Sequence, residues 1–491
     1  MQRWPVLVLW MALSAGVLGT VAWFHAQPGA VSAQDRAPDR DGPLDQAEPA
    51  LDDGLTPAVR PVGPEGRGGG NVRETIGWEQ ARERLGREMP TGRGIAAGLV
   101  EAGEAYAPNS RDQRLRGVNF ILQSGSTGNS PHASGAARNA FGQQAPAPGV
   151  ARVHCFSVSH WMGEGYLRTG TTDPPDDWNE SRVFNHSWIA EQADFAPQVI
   201  RRVDWLADEK DILCCVGVNN GNTQVPQLLA SAYNTISVGV ISGDHSRGTT
   251  RIEITGRVKP ELVAPGSLTS WSTAVVTGCV AVLLERADEI EERDPDAPDA
   301  NAQRSEVVKA LLMGGAFKPL GWAPNVGEPL DPRWGAGIVD IDRALLMMDA
   351  GHTEPGDTNK RYGWSFTDID RAGVDDYTFN ITADQGEACF ALVWHRHVVG
   401  GGATVRNNAT GEARAVWNNT TILADLDLEL VRLNDVGEEE SVQISRSAVD
   451  NVEMVYVESL PAGRYTVRVT RGNDREDDAW EYALAWRIEA E

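Results

Sequence analysis

The fold is decided by the stretch at residues 259–286, which reads KPELVAPGSLTSWSTAVVTGCVAVLLER. It predicts a short strand at residues 261–264, a Pro-Gly turn, and a helix that begins near Ser270 and carries small and apolar residues at helical spacing. In the first turn of a buried helix, a serine hydroxyl lies beside unpaired backbone N–H groups and the positive end of the helix dipole. Those N–H groups can stabilise an oxyanion, so Ser270 is either the N-cap of the helix or a nucleophile.

This stretch resembles the nucleophile region of the subtilisin-like serine proteases, the subtilases of peptidase family S8. In that family a Lys-Pro-Asp-Val-Val-Ala-Pro-Gly segment precedes Gly-Thr-Ser-x-Ala-x-Pro-x-Val-x-Gly, and Thr269 and Ser270 stand here where the Thr-Ser pair does. Two positions depart from the pattern, since Leu268 replaces a glycine and Ala274 replaces the proline. The resemblance implies that Ser270 is the nucleophile of a serine protease.

Two earlier segments resemble the family's other catalytic segments, in the same order along the chain. Residues 95–101 are an apolar run that ends in Glu101, which predicts a buried parallel strand with a carboxylate at its C-terminal edge. Residues 129–137 place His132 at the start of a helix of small residues. The resemblance puts Glu101 in the place of the family's aspartate and His132 in the place of its histidine. Taken alone, Glu101 would be a solvated acid and His132 a structural histidine.

Two further strands carry polar residues that the resemblance assigns to the cleft. Residues 183–188 resemble the strand that lines the substrate cleft of these proteases, which implies that Asn185 and Ser187 bind substrate. Residues 212–221 are a buried strand followed by a polar turn. The register of the family motif in that turn places the asparagine of the oxyanion hole at Asn219.

These residue types together supply the parts that acyl transfer needs. The hydroxyl of Ser270 attacks, the imidazole of His132 takes its proton, and Glu101 holds the tautomer and stabilises the cation. The amide of Asn219 completes the site by stabilising the tetrahedral oxyanion. We therefore predict a serine endopeptidase that acts on polypeptides and requires no cofactor for catalysis.

Substitutions within the motifs leave a second hypothesis open. Ile189, Val218 and Leu268 place side chains where the family has glycine, and Glu101 is one methylene longer than aspartate. The alternative is a catalytically degenerate relative that acts as an extracellular binding or scaffold protein. A third hypothesis is an adhesion or scaffold protein in which the C-terminal part of the chain does the work.

The N-terminus predicts export. Arg3 precedes an apolar, uncharged run at residues 6–24, and residues 31–33 form a small-residue cleavage site, as in a secretory signal. The run is long enough to span a membrane, so an uncleaved anchor is the alternative and the only membrane contact expected. Either way the body of the protein is secreted, periplasmic or at the cell surface. A net charge of −25 argues against nucleic acid or an anionic membrane as partner.

Length and composition divide the chain of 491 residues into more than one domain. We predict a signal peptide or membrane anchor at 1–33, a disordered linker at 34–71, a subtilisin-like catalytic domain at 72–350, a hinge at 351–360, and a β-sandwich at 361–491. The catalytic domain alternates strands and helices, which predicts an α/β fold with a doubly wound parallel sheet. The last domain has strand-like runs and turn residues but no helical periodicity, as in an antiparallel sandwich.

The predicted sandwich resembles the jelly-roll domain that follows some subtilisin-like catalytic domains. Asp425 and Asp427 lie two residues apart on one strand, so their side chains share a face. With Asp450 they would supply hard oxygen ligands for a structural calcium ion. The alternative is a solvated acidic face.

The five cysteines are an odd number, so at least one is unpaired within the chain. Cys214, Cys215 and Cys279 lie in apolar runs, which predicts that they are small core residues.

Overall fold

The structure is a computed structural model, and its described residues are 21–23, 71–163, 165–176, 180–191, 196–358, 360–382, 384–406, 413–434, 436–472 and 478–490. Residues 34–70 of the predicted linker, and all but three residues of the predicted signal or anchor, lie outside the described residues. In the described part of the chain, no helix combines the length and the apolar character needed to cross a membrane.

A parallel sheet of seven strands forms the centre of the first domain. The first eleven strands of the chain are β1 (Val21–Trp23), β2 (Ala96–Glu101), β3 (Asn119–Leu122), β4 (Arg152–Ser157), β5 (Ser181–His186), β6 (Trp188–Ala190), β7 (Leu213–Gly217), β8 (Ile236–Val240), β9 (Gly248–Thr249), β10 (Val258–Lys259) and β11 (Leu262–Ala264). The order in the sheet is β11-β8-β7-β5-β2-β4-β3. After β2 the chain first forms β3 and β4 on one side of β2, and then forms β5 on the other side. The C-terminal end of β2 is therefore a topological switch point.

The other four strands form two small sheets of their own beside the main sheet. Strand β1 pairs antiparallel with β6, with Val21 opposite Ala190 and Trp23 opposite Trp188. Strands β9 and β10 form a second antiparallel pair. Strand β6 follows the main-sheet strand β5 after a single residue, Ser187.

The helices of this domain flank the sheet. They are α1 (Val72–Thr75), α2 (Trp78–Leu85), α3 (Pro131–Phe141), α4 (Val158–Met162), α5 (Ala196–Lys210), α6 (Thr269–Glu291), α7 (Ser305–Gly315) and α8 (Ile341–Asp349). Helix α6 is buried on all sides over most of its length because it packs between the sheet and helix α3. Helices α1 and α2 are separated at Gly77, whose φ of +73° lies in the left-handed region. A Cβ atom on Gly77 would collide with the carboxylate of Asp340, so glycine is required there.

Two antiparallel sheets form the C-terminal sandwich, which confirms the predicted fold class. Its strands are β12 (Gly356–Asp357), β13 (Tyr362–Ile369), β14 (Val374–Ile381), β15 (Gln385–Val393), β16 (His397–Arg406), β17 (Ala413–Ile422), β18 (Leu426–Leu433), β19 (Glu439–Ser445), β20 (Val452–Val457), β21 (Gly463–Arg471) and β22 (Trp480–Ala490). One sheet has the order β12-β14-β21-β18-β19, and the other β13-β22-β15-β20. Strands β16 and β17 form a separate hairpin. Aromatic and aliphatic side chains fill the space between the sheets.

Buried polar contacts join the sandwich to the catalytic domain. The guanidinium of Arg396 is fully buried and pairs with the carboxylates of Asp204 and Glu253. Arg487, also fully buried, donates from Nε to the carbonyl oxygen of Gly314 at 2.9 Å, at the C-terminal end of helix α7. These contacts satisfy charges and carbonyl groups that would otherwise be buried without partners. The sandwich is therefore packed onto the catalytic domain through a desolvated interface.

All five cysteines are unpaired and buried. Burial raises the pKa of the Cys215 thiol to about 12 and that of Cys214 well above its ordinary value, so both stay protonated at neutral pH. Cys214, Cys215 and Cys279 belong to the apolar core clusters, as the sequence predicts.

Three charged side chains form a buried ion cluster beside strand β11, which leads to helix α6. The carboxylate of Glu261 accepts from the ammonium groups of Lys259 at 2.8 Å and Lys309 at 2.7 Å, and from the backbone N–H of Ser237 at 2.7 Å. All three charged side chains are almost completely buried. Burial alone would raise the pKa of Glu261, but the two ammonium groups outweigh it and hold the pKa at about 2.

We expect Glu261→Gln to lower the free energy of unfolding at pH 7 by about 3–5 kcal/mol, because it leaves two buried ammonium groups without a counter-charge. Urea denaturation of the variant and of Glu83→Gln, an exposed glutamate on α2, measures this. The pKa of Glu261 is depressed in the folded state. The stability that its charge contributes is therefore complete above about pH 4.5 and is lost as the pH falls towards about 2. A difference between wild type and variant that stays constant over this range would contradict the assignment.

Candidate active site

Three polar side chains meet at the C-terminal edge of the parallel sheet. Glu101 is the last residue of β2, His132 is the second residue of α3, and Ser270 is the second residue of α6. The Oε2 atom of Glu101 lies 2.8 Å from Nδ1 of His132, and Nε2 of His132 lies 3.0 Å from Oγ of Ser270. The exposed fraction is 2% for Glu101, 2% for His132 and 0% for Ser270. The structure thus brings together the three residues that the sequence predicts as a triad.

Local folding fixes the orientation of the acid and the imidazole. The hydroxyl of Ser130 caps helix α3 by accepting from the backbone N–H of Ala133 at 3.0 Å, which sets the first turn that carries His132. The second carboxylate oxygen of Glu101 accepts from the N–H of Ala102 at 3.1 Å, so the longer side chain folds back over its own strand end. A carboxylate on Nδ1 selects the tautomer with its proton there, which leaves Nε2 free to accept from a serine hydroxyl.

Ser270 is not the N-cap of helix α6. The N-cap residue is Leu268, which provides no side-chain hydrogen bond, and the hydroxyl of Ser270 lies against His132 instead. The backbone N–H of Ser270, in the first turn of the helix, has no hydrogen-bond partner among the described residues. This N–H group can therefore receive an oxyanion at the positive end of the helix dipole. Of the two alternatives for Ser270, the geometry favours the nucleophile.

The predicted oxyanion residue, Asn219, is directed elsewhere. Its side-chain amide donates to Oγ1 of Thr223 at 3.2 Å. The next residue, Asn220, lies against the nucleophile turn, where its Oδ1 accepts the backbone N–H of Thr269 at 2.9 Å and the Thr269 hydroxyl at 3.1 Å. Because Oδ1 takes both bonds, the NH₂ group of Asn220 takes no part in them and can donate elsewhere. The contacts therefore make Asn220 a second candidate for the oxyanion donor, beside Asn219.

Asn185 and Ser187 are joined by hydrogen bonds to the backbone of the nucleophile. The hydroxyl of Ser187 donates to the backbone carbonyl of Ser270 at 3.0 Å, and the amide of Asn185 donates to Oγ of Ser187 at 3.0 Å. Oδ1 of Asn185 accepts from the hydroxyl of Thr277 at 3.3 Å. Thr277 lies almost two helical turns after the nucleophile. Both side chains are buried and bonded within the protein. They position helix α6, and their contact with substrate stays a prediction.

The three aspartates predicted as calcium ligands do not form a common site. Asp427 pairs with Arg446 at 2.6 Å, and Asp450 accepts from the hydroxyl of Ser447 at 2.7 Å. Within the described ranges, no three histidine, cysteine, aspartate or glutamate side chains converge in a way that could hold a metal ion. Burial raises the pKa of Asp450 to about 6. The ligand set of Asp425, Asp427 and Asp450 is therefore withdrawn.

Residues 98–364, more than half of the chain, match the model of the Peptidase_S8 subtilase family, and the chain belongs to this family. The family resemblance that the sequence motifs predict is thereby confirmed. Subtilases are serine peptidases, so the class of enzyme and a polypeptide substrate follow from membership. No curated protein matches the chain.

Several solved structures of proteases are similar to the chain. The protease domain of PatA, in a serine-to-alanine mutant, has 14% identity and a TM-score of 0.38 over 54% of this chain and 98% of that one. The prenylagaramide maturation protease PagA has 17% identity and a TM-score of 0.36 over 55% of this chain and 99% of that one. Tripeptidyl peptidase 2 has 10% identity and a TM-score of 0.30 over 73% of this chain and 40% of that one.

Proposed function

We propose that the protein is an exported, catalytically active serine endopeptidase that cleaves peptide bonds through an acyl-enzyme intermediate. The observation that carries the proposal is the continuous hydrogen-bonded line from Glu101 through His132 to Ser270. Both distances lie within the range of ordinary hydrogen bonds, so a proton can pass from the hydroxyl to the imidazole without rearrangement of the site. The apolar, uncharged run at residues 6–24 supports export.

The proposed reaction begins when Oγ of Ser270 attacks the carbonyl carbon and its proton passes to Nε2 of His132. The carboxylate of Glu101 stabilises the imidazolium, while the N–H of Ser270 and the amide of Asn220 receive the negative charge of the tetrahedral oxygen. Collapse of the intermediate expels the amine, which takes the proton from His132. Water then attacks the acyl-enzyme by the same steps and releases the acid. No cofactor takes part.

The edge strand β6 supports an extended polypeptide as the substrate. It begins one residue after Ser187, whose hydroxyl bonds to the backbone of Ser270, and it pairs with an extended segment of the same chain, β1. A strand edge with free N–H and C=O groups binds an extended peptide by adding it to the sheet. A peptide in the place of β1 would pair with the strand that begins directly after Ser187.

The motif departures do not interrupt the triad, which weighs against the degenerate alternative. Ile189 and Val218 are buried in an apolar cluster, and the hydrogen bonds that join Glu101, His132 and Ser270 are present beside them. Leu268 lies half-buried at the N-cap position of α6. Its side chain does not replace any hydrogen bond of the triad.

Labelling with a fluorophosphonate probe tests the proposal. We expect the purified, mature protein to gain one adduct per chain, because the activated Oγ of Ser270 displaces fluoride from phosphorus, and peptide mapping to place the adduct on that residue. Heat-unfolded protein, which has the same serines without the triad, is the matched control. If the folded protein takes up no probe, the chain is a degenerate relative and the proposed function is wrong.

A further inference from the structure

The residue after the nucleophile covers the catalytic imidazole. The indole of Trp271 lies with its ring centre 5.2 Å from that of His132, and the two planes are inclined by 35°. Trp271 is half-buried, whereas His132 is almost completely buried. The indole therefore separates one face of the imidazole from solvent. Nothing in the acyl-transfer scheme above uses this side chain.

Helix α3 has a glycine at the position where the indole of Trp271 packs against it. Gly135, one turn after His132, lies directly under the ring, and a Cβ atom at that position would be 2.4 Å from Cη2 of Trp271. Contacts of that length are not tolerated, so any residue other than glycine would push the indole away from helix α3. The placement of Trp271 against the imidazole thus depends on a matched residue on the facing helix.

We propose that Trp271 is a positioning residue whose indole holds the imidazole of His132 and stabilises the imidazolium formed when Ser270 gives up its proton. This inference rests on the proposed function. A cation within about 6 Å of an indole centre is attracted to the ring face, more strongly where water is excluded. Glu101 faces the imidazole from strand β2, and helix α6 presents Ser270 and Trp271 and has no charged residue before Glu285. On helix α3 itself, Arg138 is paired with Asp112 at 3.1 Å.

The test is an NMR titration of the His132 ring in a Ser270→Ala background, which reports on the imidazole whether or not the enzyme is active. We expect Trp271→Leu to move the titration midpoint about one pH unit lower, since loss of the indole face disfavours the charged ring. Trp271→Phe, which keeps an aromatic face, should move it less. Gly135→Ala should reproduce the shift of Trp271→Leu by displacing the indole without changing it. Trp205→Leu, a half-buried tryptophan on α5, should leave the midpoint in place.

The result that would overturn the proposal is a folded Trp271→Leu variant that loses the ring-current shift of the His132 protons but keeps the titration midpoint. In the active background, the acid limb of kcat/KM against pH should move in the same direction, and kcat/KM on its plateau should fall about tenfold. Absence of fluorophosphonate labelling in the wild type would overturn the proposed function, and the NMR midpoint would still decide whether the indole stabilises the cation.

Discussion

Ser270→Ala is expected to lower kcat by about 10⁶, and Glu101→Gln by about 10⁴, on any polypeptide the enzyme cleaves. The first change removes the nucleophile. The second replaces the carboxylate 2.8 Å from Nδ1 of His132 with an amide, which favours the wrong tautomer and leaves the imidazolium without a counter-charge. The double variant is expected to be no slower than Ser270→Ala alone, because residues that act as a unit are not additive.

A quenched fluorescent protein substrate, followed at several concentrations, gives the rates. Glu104→Gln, an exposed glutamate three residues further along, is the matched control and should cut at the wild-type rate. Glu101→Asp keeps the charge but shortens the side chain by a methylene, so we expect an intermediate loss. A loss of less than tenfold in Glu101→Gln would mean that some other group orients His132.

Asn220→Ala is expected to lower kcat by about 10²–10³ with little change in KM, because the donor acts on charge that develops only in the transition state. Asn219→Ala, whose amide is bonded to Thr223, should retain activity within about threefold. The two neighbouring asparagines make a matched pair on the same turn. The opposite order of effects would restore the register that the family motif implies.

A second variant separates catalysis by Asn220 from its structural contact. Asn220→Asp keeps the oxygen that accepts from Thr269, but it replaces the amide donor with a carboxylate that repels an oxyanion. We expect its kcat to fall at least as far as that of Asn220→Ala, while its thermal unfolding stays close to wild type. Activity near the wild-type level in Asn220→Asp would show that Asn220 only braces the turn.

Much of the fold is predictable because its elements have strong local patterns. Strand β2 is a continuous apolar run ending in an acid, and helix α6 follows a Pro-Gly turn, so both lie where the sequence predicts them. The sandwich strands that alternate inward and outward residues were likewise predictable. Strands β12, β13, β16, β17 and β19 were not predicted. Strand β16 contains three consecutive glycines and has no period-two apolar pattern. Strand β19 is an edge strand with acidic residues at its start, and its alternating Val442 and Ile444 are exposed.

The triad was predictable for a different reason. Glu101, His132 and Ser270 each occupy a strand end or helix start whose local sequence resembles a family motif. The hydrogen bond between Asn220 and Thr269 joins residues that are 49 positions apart, and such a contact produces no periodic pattern in the sequence. Only the structure therefore distinguishes Asn219 from Asn220. The proposed role of Trp271 could not be predicted from the sequence either, because it depends on Gly135, which lies on another helix.

Arg487 has a consequence for the order in which the chain folds. It donates to a carbonyl at the end of helix α7 from a position 173 residues further along the chain, so the helix emerges from the ribosome long before its partner is made. That carbonyl group therefore stays without this partner until the last strand of the sandwich, β22, has been synthesised.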